Sequence, residues 1–177
     1  MKRIILEYQQ VDLILTRICH QLVEDHGDFN HTAILALQPK GILLGKAIVR
    51  KLETLFGIHA TYGELDTTFH RDDFRRSDKL LIPNEVNIDF EIENKRIILV
   101  DDVLYTGRSI RAALTAIQSF GRPANIELLV LIDRRFSRHL PIQPDYRGRQ
   151  VDVINKEKVT VNWKERDGKD SVYIINN

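Results

Sequence analysis

Two adjacent acids follow a short apolar run near the middle of the chain. The run at 97–100 contains only isoleucine, leucine and valine, which is typical of a strand buried on both faces, and Asp101 and Asp102 come directly after it. Neighbouring carboxylates can accept hydrogen bonds from the vicinal hydroxyls of a ribose. The pair therefore indicates a sugar-binding position at the end of this strand.

A turn built from hydroxyl residues and glycine follows the acids and leads into a helical pattern. The turn, 106–109, contains Thr106, Gly107, Arg108 and Ser109, and apolar residues then recur at helical spacing from Ile110 onward. Free N–H groups of the turn, the two hydroxyls and the dipole of the helix can together hold a phosphate. Acids and turn together predict a site for a phosphorylated sugar.

Two other interpretations of the acid pair remain open from spacing alone. Acids at a strand end can simply cap the following turn, and response-regulator domains carry acid pairs at this place to bind Mg²⁺. The hydroxyl and glycine turn that follows Asp101 favours the phosphorylated-sugar site over both.

Length and composition indicate one compact domain without a membrane segment. The chain has 177 residues, of which 43% are hydrophobic and 29% charged, and its formal net charge is +1. This charge provides no overall basic field for nucleic acid, so any RNA-binding surface has to be a local patch. A single cysteine, Cys19, excludes an intrachain disulfide and favours a reducing compartment. No apolar run reaches membrane-spanning length, and no signal peptide is evident, so we expect a cytoplasmic protein.

Alternating patterns predict an α/β fold. Because strands alternate with helices, we expect a doubly wound parallel sheet whose ligands lie at the carboxyl ends of the strands. We expect a core at about 10–135 and a small β-rich hood formed by the N-terminal residues and about 136–177. The predicted helices are 12–24, 42–56 and one after the turn, and the predicted strands are 33–37, 59–66, 97–100, 126–132, 151–154, 158–163 and 172–175.

The segment from about 67 to 91 lacks apolar periodicity. It contains mainly charged residues and turn formers, and so long a segment without a pattern is typical of a lid or an insert. We expect a flexible lid at 67–91.

The segment VDDVLYTGRS, 100–109, closely resembles the signature with which type I phosphoribosyltransferases bind 5-phosphoribosyl 1-diphosphate (PRPP). It is most similar to the variant found in PyrR, the family of pyrimidine operon attenuators and uracil phosphoribosyltransferases. The resemblance extends over nearly the whole chain and includes LQPKGILLGK, YGELDTTFHRDDF, FGRPANIELLVLIDR and LPIQPDYRGR. It implies a single type I phosphoribosyltransferase domain spanning 1–177.

The resemblance also implies a reaction, uracil + PRPP → UMP + diphosphate, and the residues that serve it. Asp101, Asp102 and Arg71 would be catalytic, and Arg134 and Val159 would contact the base. Mg²⁺ is the implied cofactor; PRPP would carry it, the two acids would reach it through water, and the protein would supply no direct ligand. Family members often hold a non-proline cis peptide in the first loop, which here would be Pro39–Lys40. The implied PRPP-binding residues are Pro39, Lys40, Gly41, Asp101, Asp102, Val103, Leu104, Tyr105, Thr106, Gly107, Arg108 and Ser109.

A second implied property is binding of the leader RNA of a pyrimidine operon through the basic face of a dimer. Asp25 and Gln143 stand where RNA-binding members tend to carry arginine, and the loop at 135–139 is one residue longer than usual. Loss of cations that contact phosphate lowers affinity for RNA. The implied RNA-binding residues are Thr16, Arg17, His20, Arg138 and Arg149.

Three functions therefore remain open. The first is a salvage enzyme whose partners are PRPP, uracil, UMP, diphosphate and a second copy of the chain, with leader RNA as a further partner if regulation is retained. The second is a non-catalytic RNA-binding regulator that senses UMP or UTP. The third is a phosphoribosyltransferase for another base.

Overall fold

The structure, a computed structural model, describes residues 2–67, 87–153 and 157–176. Five strands form a parallel sheet in the order β3-β2-β4-β5-β6, and three form an antiparallel sheet in the order β1-β8-β7. The α/β fold class with a small β-rich unit is therefore confirmed. In chain order the elements are β1 (Lys2–Leu6), α1 (Tyr8–His26), β2 (Thr32–Leu37), α2 (Gly41–Phe56), β3 (Thr61–Leu65), β4 (Arg96–Leu104), α3 (Arg108–Ile117), β5 (Asn125–Arg135), β6 (Tyr146–Asp152), β7 (Glu157–Asn162), α4 (Lys164–Asp167) and β8 (Ser171–Asn176).

The parallel sheet is covered on both faces, as its apolar strands require. Alternate residues of β4 enter two different hydrophobic clusters: Ile98 and Val100 pack with α1 and α2, whereas Ile97 and Leu99 pack with α3. Each fully buried aliphatic side chain contributes about 1.5–3 kcal/mol to the free energy of folding. The central strands are therefore held rigidly, and residues at their carboxyl ends have a fixed position.

Several boundaries differ from the sequence-based expectations. Helix α1 begins at Tyr8 rather than near 12, because Glu7 and Gln10 form a reciprocal capping box at its start. Strand β4 continues through the acid pair to Leu104, since Asp101, Val103 and Leu104 still pair in register with β5. Strand β6 pairs with β5 in the main sheet, so the hood is smaller than the expected 136–177 and consists of β1, β7, α4 and β8.

The predicted lid is also shorter at its carboxyl end than expected. Asn87 pairs with Glu64 of β3, and Ile88 and Phe90 pack against the cluster beneath α3. Residues 87–91 thus belong to the packed body of the protein. The rest of the predicted lid, 68–86, lies outside the described residues. Within the described part of the chain, no helix is both long and apolar enough to span a bilayer.

A polar network occupies the amino-terminal edge of the parallel sheet. His26, whose side chain is fully buried, contacts Thr32 through Nδ1 at 3.1 Å and Glu127 through Nε2 at 2.8 Å. The hydroxyl of Tyr146 lies 3.1 Å from the same Nε2 and donates to the Asp25 carboxylate at 2.8 Å. Burial lowers the pKa of His26 despite the neighbouring Glu127 carboxylate. Folding therefore favours the neutral form of this histidine.

We expect this histidine to make stability depend on pH. Because the pKa of His26 is lower in the native state than the unfolded value of 6.5, the unfolded chain binds more protons at this residue around and just below that pH. The free energy of unfolding should therefore fall as the pH decreases through and below this value. Urea titrations of the wild type and of His26→Gln at several pH values between 5 and 8 check this, and the variant should have the shallower dependence. An identical dependence in both proteins would contradict it.

Candidate active site

The acid pair lies at the carboxyl end of β4, on the edge of the parallel sheet where ligands are expected. The backbone N–H of Asp102 donates to Oδ1 of Asp101 at 2.9 Å, and the Asp102 side chain is buried. Burial, followed by the charge of Asp102, raises the pKa of Asp101, and burial raises that of Asp102. The positive charge of Lys40 opposes both shifts. Two like charges held together out of water need hydroxyl donors or cations, which a ligand can supply.

The first loop reaches this pair through a glycine. A Cβ on Gly41 would overlap the carbonyl oxygen of Val100, so only glycine lets the start of α2 pack directly on β4. Lys40, the N-cap of α2, is thereby brought into electrostatic contact with both acids. The predicted cis bond lies one position earlier than expected. It joins Gln38 to Pro39, where proline lowers the cost of the cis form, rather than Pro39 to Lys40.

The turn at 105–109, which we call the phosphate turn, forms the opposite wall of the site. Gly107 is the N-cap of α3 and has a φ of 90°, in the left-handed region that glycine adopts readily. The Thr106 hydroxyl accepts a hydrogen bond of 3.4 Å from the backbone N–H of Arg108. A cavity of about 470 Å³ separates this turn from the first loop and is large enough for a small ligand. Its lining is Leu37, Gln38, Pro39, Lys40, Thr67, Asp101, Leu104, Tyr105, Thr106, Gly107, Arg108, Ser109 and Ile110.

Arg134 lies at the carboxyl end of β5, beside the turn. Its guanidinium stacks over the ring of Tyr105 with 3.9 Å between the guanidinium carbon and the ring centroid, and Nη2 donates to the carbonyl of Glu157 at 3.2 Å. Its Nε is buried and has no hydrogen-bond partner among the described residues. Burial lowers the pKa of Arg134. A buried donor without a partner is costly, so this N–H is suited to an acceptor on a ligand.

Arg166 of the hood was missed by sequence reasoning. It lies on α4, donates to the carbonyl of Val161 at 3.1 Å, and interacts electrostatically with Asp102. Its segment, 164–170, is a run of charged residues around a glycine and looks like an ordinary solvated turn. No local signal marks it, because its proximity to the acids results from the docking of the hood on the sheet.

The structure brings together the implied PRPP residues at 39–41 and 101–109. Arg71 lies outside the described residues. Val159 is buried in β7, two residues from Glu157, whose carbonyl holds Arg134. Within the described part of the chain no group of three or more histidine, cysteine or acidic side chains could hold a metal ion.

The five implied RNA-binding residues are not all free side chains on one surface. Arg17 donates to the carbonyls of Arg147 and Gly148 at 2.9 and 2.8 Å, and Arg149 donates to the carbonyl of Ile5 at 3.3 Å. Thr16 accepts from Lys51 at 3.1 Å, and the His20 ring packs edge-on against Phe56. Arg138 is engaged by backbone carbonyls of the phosphate turn and of its own loop.

Comparison with known proteins identifies the family. The family model of the phosphoribosyl transferase domain matches residues 3–166. The bifunctional protein PyrR of Picosynechococcus sp. is 41% identical over 171 residues, which cover 97% of this chain and 96% of that protein. The bifunctional protein PyrR of Bacillus subtilis is 38% identical over 179 residues, covering 99% and 98%. This chain belongs to the PyrR family of phosphoribosyltransferases.

Solved structures agree with this fold. The hypoxanthine phosphoribosyltransferase of Staphylococcus aureus matches with a TM-score of 0.68 and 17% identity, over 89% of this chain and 80% of that one. The hypoxanthine phosphoribosyltransferase of Trypanosoma cruzi, solved with the product IMP, matches with a TM-score of 0.65 and 15% identity, over 84% and 76%. At such low identity these structures show the fold alone.

The raised pKa of Asp101 leads to a prediction about proton release. Hydroxyl donors or a cation that arrive with a ligand favour the charged carboxylate, so UMP with Mg²⁺ should displace a proton from the acid pair. Calorimetric titration at neutral pH in two buffers of different ionisation enthalpy measures this release. Asp101→Asn should reduce it relative to the wild type. Equal proton release by wild type and variant would contradict the assignment.

Proposed function

We propose that this chain is a uracil phosphoribosyltransferase, which converts uracil and PRPP to UMP and diphosphate. The observation that carries the proposal is the cavity at the sheet edge, which is lined by Asp101 of the acid pair, by the phosphate turn and by the Lys40 loop. A ribose 5-phosphate that carries a diphosphate needs three kinds of group from the protein. These are acceptors for its hydroxyls, N–H and O–H donors for its 5′-phosphate, and a cation for its diphosphate. The PyrR family membership supports the same substrate class.

The proposed reaction needs no protein nucleophile. Transfer of the ribosyl group proceeds through a loosely bonded, positively charged sugar, so the protein must orient the base, stabilise the leaving diphosphate and exclude water. Asp101 and Asp102 accept from the ribose hydroxyls, and 106–109 binds the 5′-phosphate. Lys40 lines the cavity and would attract the diphosphate, and the charge of Arg166 acts on Asp102 from the hood.

Mg²⁺ fits these residues as an ion that arrives with its substrate. Two adjacent carboxylates whose pKa values are raised by burial are hard oxygen donors that favour a nearby cation. When bound, Mg²⁺ would neutralise charge on the diphosphate, and Asp101 and Asp102 would hold it through water.

We assign the base to the side of the cavity at Tyr105, whose ring stacks on the guanidinium of Arg134. The unpartnered Nε of Arg134 can donate to a carbonyl oxygen of uracil, and the backbone of Val159 can contact the edge of the base. Hypoxanthine also carries a carbonyl oxygen, so the choice between the bases needs a direct assay. Binding of either base would require the buried guanidinium of Arg134.

The enzyme proposal predicts a base-specific and acid-dependent activity. With PRPP and Mg²⁺, uracil should be converted to UMP in preference to orotate, hypoxanthine and guanine. Asp102→Asn should lower kcat/KM by about tenfold or more, because a charge-assisted hydrogen bond to a bound hydroxyl is worth about 1.5–3 kcal/mol. Chromatographic assay of nucleotide formation measures both effects.

A matched control separates this effect from a general loss of surface charge. Asp12 is an exposed residue of α1 whose carboxylate pairs with Lys51. It does not line the cavity, so Asp12→Asn should retain the wild-type rate. Turnover of none of the four bases would refute the enzyme proposal. An unchanged rate in Asp102→Asn would refute the role of that residue.

We further propose that a polar groove beside α1 binds leader RNA. The groove has a volume of about 480 Å³ and contains the side chains of Arg17, Gln143 and Arg147. Clustered arginines of this kind can neutralise RNA phosphates even when the net charge of the chain is small. The non-catalytic regulator remains the alternative if no base is turned over.

Adding a cation to this groove should strengthen RNA binding. Gln143→Arg should increase the affinity for a pyrimidine-operon leader hairpin over a scrambled hairpin, and should steepen the salt dependence by about one phosphate contact. Gln118→Arg adds the same charge outside the groove and serves as the control. Filter binding at several salt concentrations measures the affinity and its salt dependence for both variants. Equal gains for the two variants, or for the two RNAs, would exclude a specific site.

The cytoplasmic location and self-association expected from the sequence stay predictions. Sedimentation of the purified protein tests self-association.

A further inference from the structure

Arg138 makes an unusual set of contacts in the loop that connects β5 with β6. Its Nε donates to the carbonyl of Ile142 at 3.0 Å, and its Nη1 lies within hydrogen-bond distance of the carbonyls of Leu104, Tyr105 and Arg134. Its Nη2 pairs with the carboxylate of Asp133. A guanidinium carries five N–H donors, so most of its capacity is used within the protein.

The same loop contacts the phosphate turn at two further points. The backbone N–H of His139 donates to the carbonyl of Thr106 at 3.0 Å. Leu140 and Ile142 lie so close to Gly107 that a Cβ there would be 3.5 Å from Cβ of Leu140 and 3.2 Å from Cδ1 of Ile142. The loop therefore covers the outer side of the turn and packs directly against Gly107.

These contacts hold three consecutive peptide groups of the turn. Leu104 and Tyr105 present their carbonyls to Arg138, and Thr106 presents its carbonyl to His139. In a trans peptide the C=O and the following N–H point in opposite directions. Fixing three carbonyls against the loop therefore directs the next three N–H groups away from it. The residues that carry those N–H groups, 105–107, line the cavity.

Asp133 keeps the guanidinium in place. Its side chain is only 5% exposed, and besides Arg138 it accepts a hydrogen bond of 3.2 Å from Nε2 of Gln150. A buried carboxylate needs a partner, because removing an unpaired charge from water is costly. Since Asp133 adjoins Arg134 in β5, the pair also connects the turn to the strand that carries the base-side arginine.

We propose that Arg138 is a positioning residue that shapes the phosphate-binding turn through its main-chain carbonyls. The proposal rests on the function proposed above only for its effect on catalysis; the effect on the turn itself is independent of any substrate. It assigns Arg138 to the nucleotide site rather than to the RNA-binding surface. Lysine cannot replace it, because one ammonium group cannot reach carbonyls on several sides at once.

Two variants of Arg138 test this proposal. Arg138→Lys keeps the charge opposite Asp133, and Arg138→Gln removes it. In both, hydrogen exchange of the His139 amide, which donates to the carbonyl of Thr106, should accelerate by about tenfold in the ligand-free protein, because the loop loses the neighbouring guanidinium contacts that hold it on the turn. The KM for PRPP should rise by about tenfold, whereas the KM for uracil should change by less than about twofold.

Arg135→Gln is the matched control. Arg135 is the neighbouring arginine of the same loop region, but it is exposed and pairs with Asp152 at the surface, so exchange and both KM values should stay at wild-type levels. If Arg138→Gln fails to fold, Arg138→Lys alone decides the outcome through the same measurements.

Wild-type exchange and wild-type KM for PRPP in Arg138→Lys would overturn the proposal. So would a defect confined to RNA binding, or equal increases in both KM values. If the wild type converts no base, the enzyme proposal fails, but accelerated exchange in the two Arg138 variants would still support the role of Arg138 in shaping the turn.

Discussion

The close approach of Gly41 to the carbonyl of Val100 is the contact on which the site depends. It lets the amino end of α2 lie directly against β4, so that Lys40 acts on both acids. Parallel strands place their carboxyl ends at one edge, but they do not by themselves bring a loop within reach of its neighbour. A side chain at 41 would separate the first loop from the acid pair, and the cavity would lose one wall. One missing Cβ thus determines the spacing between the cation and the carboxylates.

Polar side chains at the two edges of the parallel sheet differ in whether they have partners within the protein. At the amino-terminal edge, His26, Glu127 and Tyr146 satisfy one another, and Asp25 joins them by accepting from the Tyr146 hydroxyl. Asp25 therefore has a structural partner and does more than remove a cation from a basic surface. At the carboxyl edge, two carboxylates adjoin one another, and a guanidinium donor has no partner among the described residues. The first arrangement stabilises the fold, whereas the second requires a ligand.

Much of the site could be predicted because its signal is local. An apolar strand, two acids and a hydroxyl and glycine turn follow one another within thirteen residues, 97–109, and the structure keeps them in that order around the cavity. The extension of β4 through Asp101 and Asp102 was missed because acids after an apolar run look like the end of a strand. Strand β6 was misplaced because it lies at the edge of the sheet, where its polar, partly exposed residues give no apolar run.

Two arginines whose contacts have no local sequence signal act across long distances in the chain. Arg166 acts on Asp102 from the hood, and Arg138 holds carbonyls more than thirty residues earlier in the chain. A charged residue in a polar loop has the same local pattern whether it faces water or binds a backbone carbonyl, so periodicity cannot distinguish the two. What distinguishes them is the partner: a guanidinium that satisfies several buried carbonyls is committed to the fold. The shape of the phosphate turn is therefore set by a loop outside the signature that identifies it.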